Sequence, residues 1–154
     1  MINFSIKAAK RFHINWKELE DRSGDFWKVD IMLVERVPVL FIVHEYTLFT
    51  LVRRKSQFKN PGEVADEIMS ICSWYKKPDT VTFGKNNNLR LTGSLTEMKR
   101  LTKGLYSPDE INRIEWSINK CIYTYLSPEP YHYGNPFEAV ESYVKGATPW
   151  LERR

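Results

Sequence analysis

Between Trp27 and Leu33 the chain alternates: Trp27, Val29, Ile31 and Leu33 fall on one side, Lys28 and Asp30 on the other. A period of two predicts a half-buried strand with the two charged residues turned to solvent. Val39 to Val43 is an unbroken apolar run suited to a central strand, and Thr47 to Val52 is rich in β-branched and aromatic residues. The segments Glu35–Pro38 and His44–Glu45 read as turns. Connections this short predict an antiparallel meander, because parallel neighbours need a crossover of about a dozen residues or more. Ile2 to Ile6 reads as a further short strand.

Helix signals follow. Asn15 with Glu18 opens a short helix. Asn60-Pro61-Gly62-Glu63 combines a cap, Pro at the first helical position and Glu at the third. It predicts a helix to about Lys76 with Val64, Ile68, Ile71, Cys72 and Tyr75 inward. Thr80–Phe83 and Leu89–Thr92 read as a hairpin around Asn86–Asn88, since Asn tolerates left-handed backbone. Ser94-Leu95-Thr96-Glu97 reads as a capping box opening a helix to about Lys103. Ser107-Pro108-Asp109-Glu110 starts another, to about Leu126, with Ile111, Ile114, Ile118, Cys121, Ile122 and Tyr125 inward. Phe137–Val144 closes the series. The expected architecture is α+β in a single domain, 1–154. It has a mainly antiparallel sheet, made of a central three-strand meander plus a hairpin, with helices packed on one face.

Hydrophobic residues are 42% of the 154 and charged residues 27%, ordinary globular usage that argues against wholesale disorder. Cys72 and Cys121 have no C-x-x-C spacing and sit at inward helix positions. They are expected to be buried free thiols in a reducing, cytoplasmic setting. The opening residues lack the basic and apolar pattern of a secretory leader, and the longest apolar run, Val37–Val43, is far short of a membrane span. Net charge is +4, but Lys76–Lys103 alone carries +5 and leaves the rest near −1.

Four features carry a family resemblance: the aromatic-led strand Trp27–Leu33, the Glu45-Tyr46-Thr47-Leu48-Phe49 turn and strand, the segment Lys85-Asn86-Asn87-Asn88-Leu89-Arg90-Leu91-Thr92-Gly93-Ser94, and the closing Pro130-Tyr131 with Pro136. On these the chain resembles an uncharacterised family of small bacterial and mobile-element proteins, domain-of-unknown-function family six-nine-three-three. His44 departs from the family pattern, which has Asn before the Glu. The resemblance implies no activity.

The basic stretch supplies the leading site. A Gly leading into a helix start at Ser94, with Lys85 and Arg90 beside it and Lys99, Arg100 and Lys103 behind, suits an anion or nucleic acid. The same letters also spell a plain hairpin and cap. His44 with Glu45 is the best acid/base pair, and a turn His beside a surface Glu explains the same letters. His13 and His132 add no metal spacing, and no cofactor motif occurs. The aromatic tail of Tyr123, Tyr125, Tyr131, Tyr133, Phe137, Tyr143 and Trp150 suits base stacking, a protein interface or a clamp on the sheet. The reading that follows is a binding or regulatory domain acting by protein–protein recognition. The alternative is a nucleic-acid binder or small toxin-type nuclease using the Lys85–Lys103 face. No membrane partner is expected.

Overall fold

The structure is a computed structural model that describes residues 1–22, 24–85, 88–121, 123, 126 and 134–146. In chain order the elements are β1 (Ile2–Phe4), α1 (Ile6–Arg11), β2 (Trp27–Val34), β3 (Val37–His44), β4 (Thr50–Arg54), α2 (Pro61–Ile71), β5 (Phe83–Gly84), α3 (Leu89–Thr102), α4 (Ile111–Lys120) and α5 (Pro136–Val144). The α+β class stands, and β2, β3 and β4 form the expected antiparallel meander. The sheet is nevertheless mixed, in the order β4-β3-β2-β1-β5, because β1 runs parallel to both β2 and β5. The connection from Phe4 to Trp27 is long enough for a parallel crossover, and α1 occupies it.

The β2–β3 hairpin turns on Glu35 and Arg36, both at positive φ (48° and 69°). Two left-handed central residues match the right-handed twist of the flanking strands, the geometry of a two-residue hairpin. The third strand starts at Thr50 rather than Thr47, since Leu48 also sits at positive φ and belongs to the turn.

The expected hairpin at 80–92 is not formed. Asn88 accepts hydrogen bonds from the amides of Arg90 and Leu91, capping a helix that runs from Leu89 without a break. Ser94 is therefore inside α3, its hydroxyl donating to Arg90 O. The alternation of Leu89 and Leu91 suggests a strand, but Leu91, Leu95, Met98 and Thr102 are the buried positions, and their spacing is helical. Ser5 similarly ends β1 and caps α1, accepting from the Ala8 amide, where a strand to Ile6 is expected from apolar residues alone.

Helices cover both faces of the sheet, not one. Trp27, Val29, Ile31, Leu40, Ile42 and Leu51 pack against Ala8 and Ala9 of α1 and Val64, Ala65 and Ile68 of α2. Val39, Phe41, Val43 and Val52 pack on the other side against Leu91, Leu95 and Met98 of α3 and Ile114 and Ile118 of α4. Lys28 and Asp30, expected outward, lie under α3 and are only 6% and 8% exposed. The unbroken apolar run of β3 is the sequence sign of this double coverage. Ile71 is half exposed rather than inward. The helix from Ser107 begins with a 3₁₀ turn at Pro108–Glu110, has the expected capping box, and ends at Lys120. Ile122, Tyr125, Tyr131, His132, Tyr133 and Trp150 lie outside the described residues.

Both cysteines are free, but only Cys72 is buried; Cys121, at the C-terminal cap of α4, is partly exposed. Burial pushes the Cys72 thiol up to about 12. Native protein should therefore be labelled by a thiol reagent first at Cys121, with Cys72 protected until unfolding; peptide mapping after brief labelling checks the order. Gly93 provides a second test. A Cβ there would meet nothing within 4 Å, and in a helix interior Ala is favoured over Gly by about 0.5–1 kcal/mol. Gly93→Ala should raise the urea midpoint accordingly. A loss of stability would restore the hairpin.

Candidate functional site

The six basic-stretch residues do not converge. Lys85 sits beside β5, its ammonium 4.4 Å from the centre of the Trp16 ring. Arg90 is exposed in the first turn of α3, and Lys103 is at its far end, about 20 Å away at 1.5 Å per residue. Arg100 is paired with Glu97 on the surface. Lys99 alone turns into the fold and meets Asp30 at 2.6 Å. At 100° per residue, Arg90 and Lys99 fall on opposite flanks of the buried stripe. With the helix start moved to Leu89, Ser94 offers no free terminal amides.

His44 and Glu45 are adjacent in sequence but serve separate networks. His44 is fully buried. Its Nε2 lies 2.5 Å from Asp25 Oδ1 and its Nδ1 2.8 Å from Thr47 Oγ1. Asp25 Oδ2 also accepts from the Tyr143 hydroxyl at 2.6 Å, and the Tyr75 hydroxyl donates to Asp25 O at 2.9 Å. Burial lowers the His44 pKa, with Asp25 opposing it, so the ring is neutral near pH 7. Nε2–H then donates to Asp25 Oδ1, and Nδ1 accepts from the Thr47 hydroxyl. The order carboxylate, imidazole, hydroxyl resembles a nucleophilic triad. However, Thr47 is 2% exposed and its oxygen already accepts from the Phe49 amide. The cluster ties α5 to the sheet end through the Tyr143 hydroxyl.

Glu45 turns instead toward β1, where Asn3 Nδ2 donates to it at 3.1 Å. Burial raises its pKa to about 7, against the opposing pull of Asn3 and Lys28. Gly84 makes room for Asn3: a Cβ at position 84 would lie 2.9 Å from Asn3 Oδ1 and 2.5 Å from Arg22 Cγ.

A different feature gathers the cations. Lys7, Lys10 and Arg11 of α1, with His13, face Lys99 of α3 across a cleft of about 750 Å³ whose floor is Ile31, Met32 and Leu33; among the described residues no acidic side chain lines it. The floor is also a sheet edge. β1 pairs with β2 only through Val29, where the Ser5 amide donates to Val29 O. Trp27 N and Val29 O point toward β1, so by strand alternation the backbone groups of Ile31 and Leu33 point the same way, beyond the end of β1. Ile31 N is taken by the Asp30 side chain at 2.8 Å. Leu33 is 54% exposed, and no described strand pairs with it on that side.

The outer edge of β4 is treated differently. Asn119 accepts from Thr50 N at 2.9 Å and donates to Thr50 O at 2.8 Å; Glu115 accepts from Val52 N at 2.9 Å. Arg53 covers Val52 O at 2.8 Å. The sequence signal for the cleft is the Lys7, Lys10, Arg11 series after the Ser5 cap, which points to a site only once α1 is recognised as a helix.

Among the described residues no group of three His, Cys, Asp or Glu side chains could hold a metal ion, and no helix is long and apolar enough to cross a membrane. No protein-family model, curated protein or solved structure matches the chain.

Glu45 yields a pH prediction. Its folded pKa lies above the ordinary 4.5, so the folded state holds more protons than the unfolded one between pH 4.5 and about 7. Its contribution to stability is fully present below pH 4.5 and is lost as pH rises through 7. Glu45→Gln should be more stable than the wild type at pH 8, by at most about 3 kcal/mol, and the difference should shrink toward pH 4.5. Urea titrations of both proteins across this range check the sign.

Proposed function

We propose that this chain is a protein-recognition domain that takes an extended acidic segment of a partner as an added strand along the open edge of β2. The observation that carries the reading is the juxtaposition of the β2 edge beyond Val29, along which no described strand pairs and where Leu33 is exposed, with walls bearing Lys7, Lys10, Arg11 and Lys99. An added strand gains main-chain hydrogen bonds from the edge, while alternate side chains supply selectivity. Asp30–Val34 offers about 16 Å of edge, room for about five residues. Acidic side chains on that segment would meet the cations of α1 on one face and Lys99 on the other. A second copy of the same chain is disfavoured as the occupant, because edge-to-edge pairing would bring these cations together.

The row of cations would also attract nucleic acid, through phosphate contacts that depend steeply on salt. What favours a polypeptide is the backbone edge, which nucleic acid has no need of. The bland use of such charges is to guard an edge against aggregation. Fluorescence anisotropy with a peptide alternating Glu and Val, a neutral peptide and single-stranded RNA, at low and moderate salt, separates these readings.

The acidic peptide should bind, and Arg11→Glu should abolish most of the affinity. Leu33→Pro removes an amide that faces the open edge and takes no part in the β3 ladder, a placement at which Pro is tolerated. It should weaken the peptide by one backbone hydrogen bond, about 0.5–1.5 kcal/mol. RNA binding untouched by Leu33→Pro, with no peptide binding, would transfer the cleft to nucleic acid. Binding of neither ligand would leave the cations as an edge guard and sink the proposal.

A further inference from the structure

Beside the edge cleft, on the α3 side of the sheet, lies a second and smaller cleft of about 380 Å³, lined by Ser5, Lys7, Lys28, Asp30, Thr92 and Lys99 among others. It sits where β1 and β2 pass under the first turns of α3. Lys28 is its most constrained member. Its neighbours in the sheet are Asn3 on β1 and Val43 on β3, and only 6% of the residue is exposed.

Among the described residues Lys28 has no hydrogen bond or ion pair. The nearest acid along its own face, Asp30, is fully engaged: it takes Lys99 Nζ at 2.6 Å, Ser5 Oγ at 2.7 Å and Ile31 N at 2.8 Å. Glu45 is engaged by Asn3. A side chain this buried ordinarily has its charge paired; the Lys28 ammonium instead keeps its access to water and faces the cleft. Burial still lowers the Lys28 pKa, with Asp30 and Glu45 opposing and Lys99 adding to the shift. Val43, its neighbour on β3, shows that an aliphatic residue suits this row of the sheet. An amine there calls for an anion.

We propose that this cleft binds a phosphate group, as a monoester or as the free ion, with Lys28 as its buried anchor and Lys7 and Lys99 at its rim. Charge selects the ligand class. Among the lining side chains three lysines against Asp30 leave two positive charges in excess, partly offset by nearby Glu45, a match for a phosphate monoester at about −1.5 to −2. A single carboxylate would neutralise only one of them. The hydroxyls add no free donor, since Ser5 donates to Asp30 and Thr92 donates to Asn88 O. The ammonium groups therefore carry recognition. The inference does not rest on strand addition, as the two clefts share only Lys7 and Lys99.

The test is calorimetric titration of the full chain with phosphoserine, inorganic phosphate and acetate. Phosphoserine or phosphate should bind saturably and acetate should not; the tighter of the first two identifies ester or free ion. Lys28→Met should weaken binding roughly tenfold or more, the worth of one charge-assisted hydrogen bond. The same substitution should raise Tm, because a largely buried, unpaired lysine is replaced by an apolar chain of similar length. If Lys28→Met does not fold, Lys7→Ala, at an exposed position, should fold and bind phosphoserine severalfold more weakly. Affinity should also fall as pH rises and Lys28 loses its proton. Absence of saturable binding, acetate binding as tightly as phosphoserine, or undiminished binding by folded Lys28→Met would each overturn the site. Loss of this site with acidic-peptide binding intact would leave the strand-addition reading standing.

Discussion

Every backbone N–H and C=O on the edge of a sheet needs a partner, and how this chain supplies those partners governs most of its architecture. Along β4 the partners are side chains of α4: Asn119 and Glu115 reach across to Thr50 and Val52. Those bonds fix the seat of α4 on the sheet, and with it the second hydrophobic layer of Ile114 and Ile118 against Phe41 and Val52. At β5 the loop does the work, with Lys85 N donating to Glu20 O and Arg22 N to Lys85 O. Along β2 the supply runs out after Val29, because Ser5 stops β1 and turns the chain into α1.

That stop creates the functional geometry. α1 leaves the sheet beside the edge it has abandoned and presents Lys7, Lys10 and Arg11 to it, while Ala8 and Ala9 are buried on the other side of the helix. One short helix thus contributes both to the first core layer and to the wall of the cleft. Lys99 closes the other side from α3 and is held there by Asp30, which also covers Ile31 N. Asp30 is satisfied by this arrangement, and Lys28 two residues away is not.

Three buried ionisable groups illustrate how differently one interior can treat charge. His44 is neutral and bonded on both ring nitrogens, a structural tie between the sheet end and α5. Glu45, the next residue along the chain, has a pKa lifted to about 7 by burial. Lys28 is largely buried and has no hydrogen bond or ion pair among the described residues. It opens onto a cleft shared with Lys7 and Lys99.

The caps at Asn60 and Ser107, the meander, and the inward places of Val64, Ile68, Ile114 and Ile118 were legible in the chain by itself. Asn60 with Pro61, Ser107 with Glu110, and the alternation from Trp27 act through contacts a few residues apart, so a linear reading contains their physics. The register of Ile31 against Leu40 follows the same hairpin logic. Local signals failed where they were short and ambiguous. Leu89-Arg90-Leu91 alternates for too few residues to separate a strand from a helix, and Asn88 serves a turn and a cap equally well. The parallel place of β1, the helices on both faces, the burial of Lys28 and the gathering of Lys7, Lys10, Arg11 and Lys99 depend on groups far apart in the chain. Tertiary structure alone decided these, because burial and charge proximity are properties of the packed layers and not of any single segment.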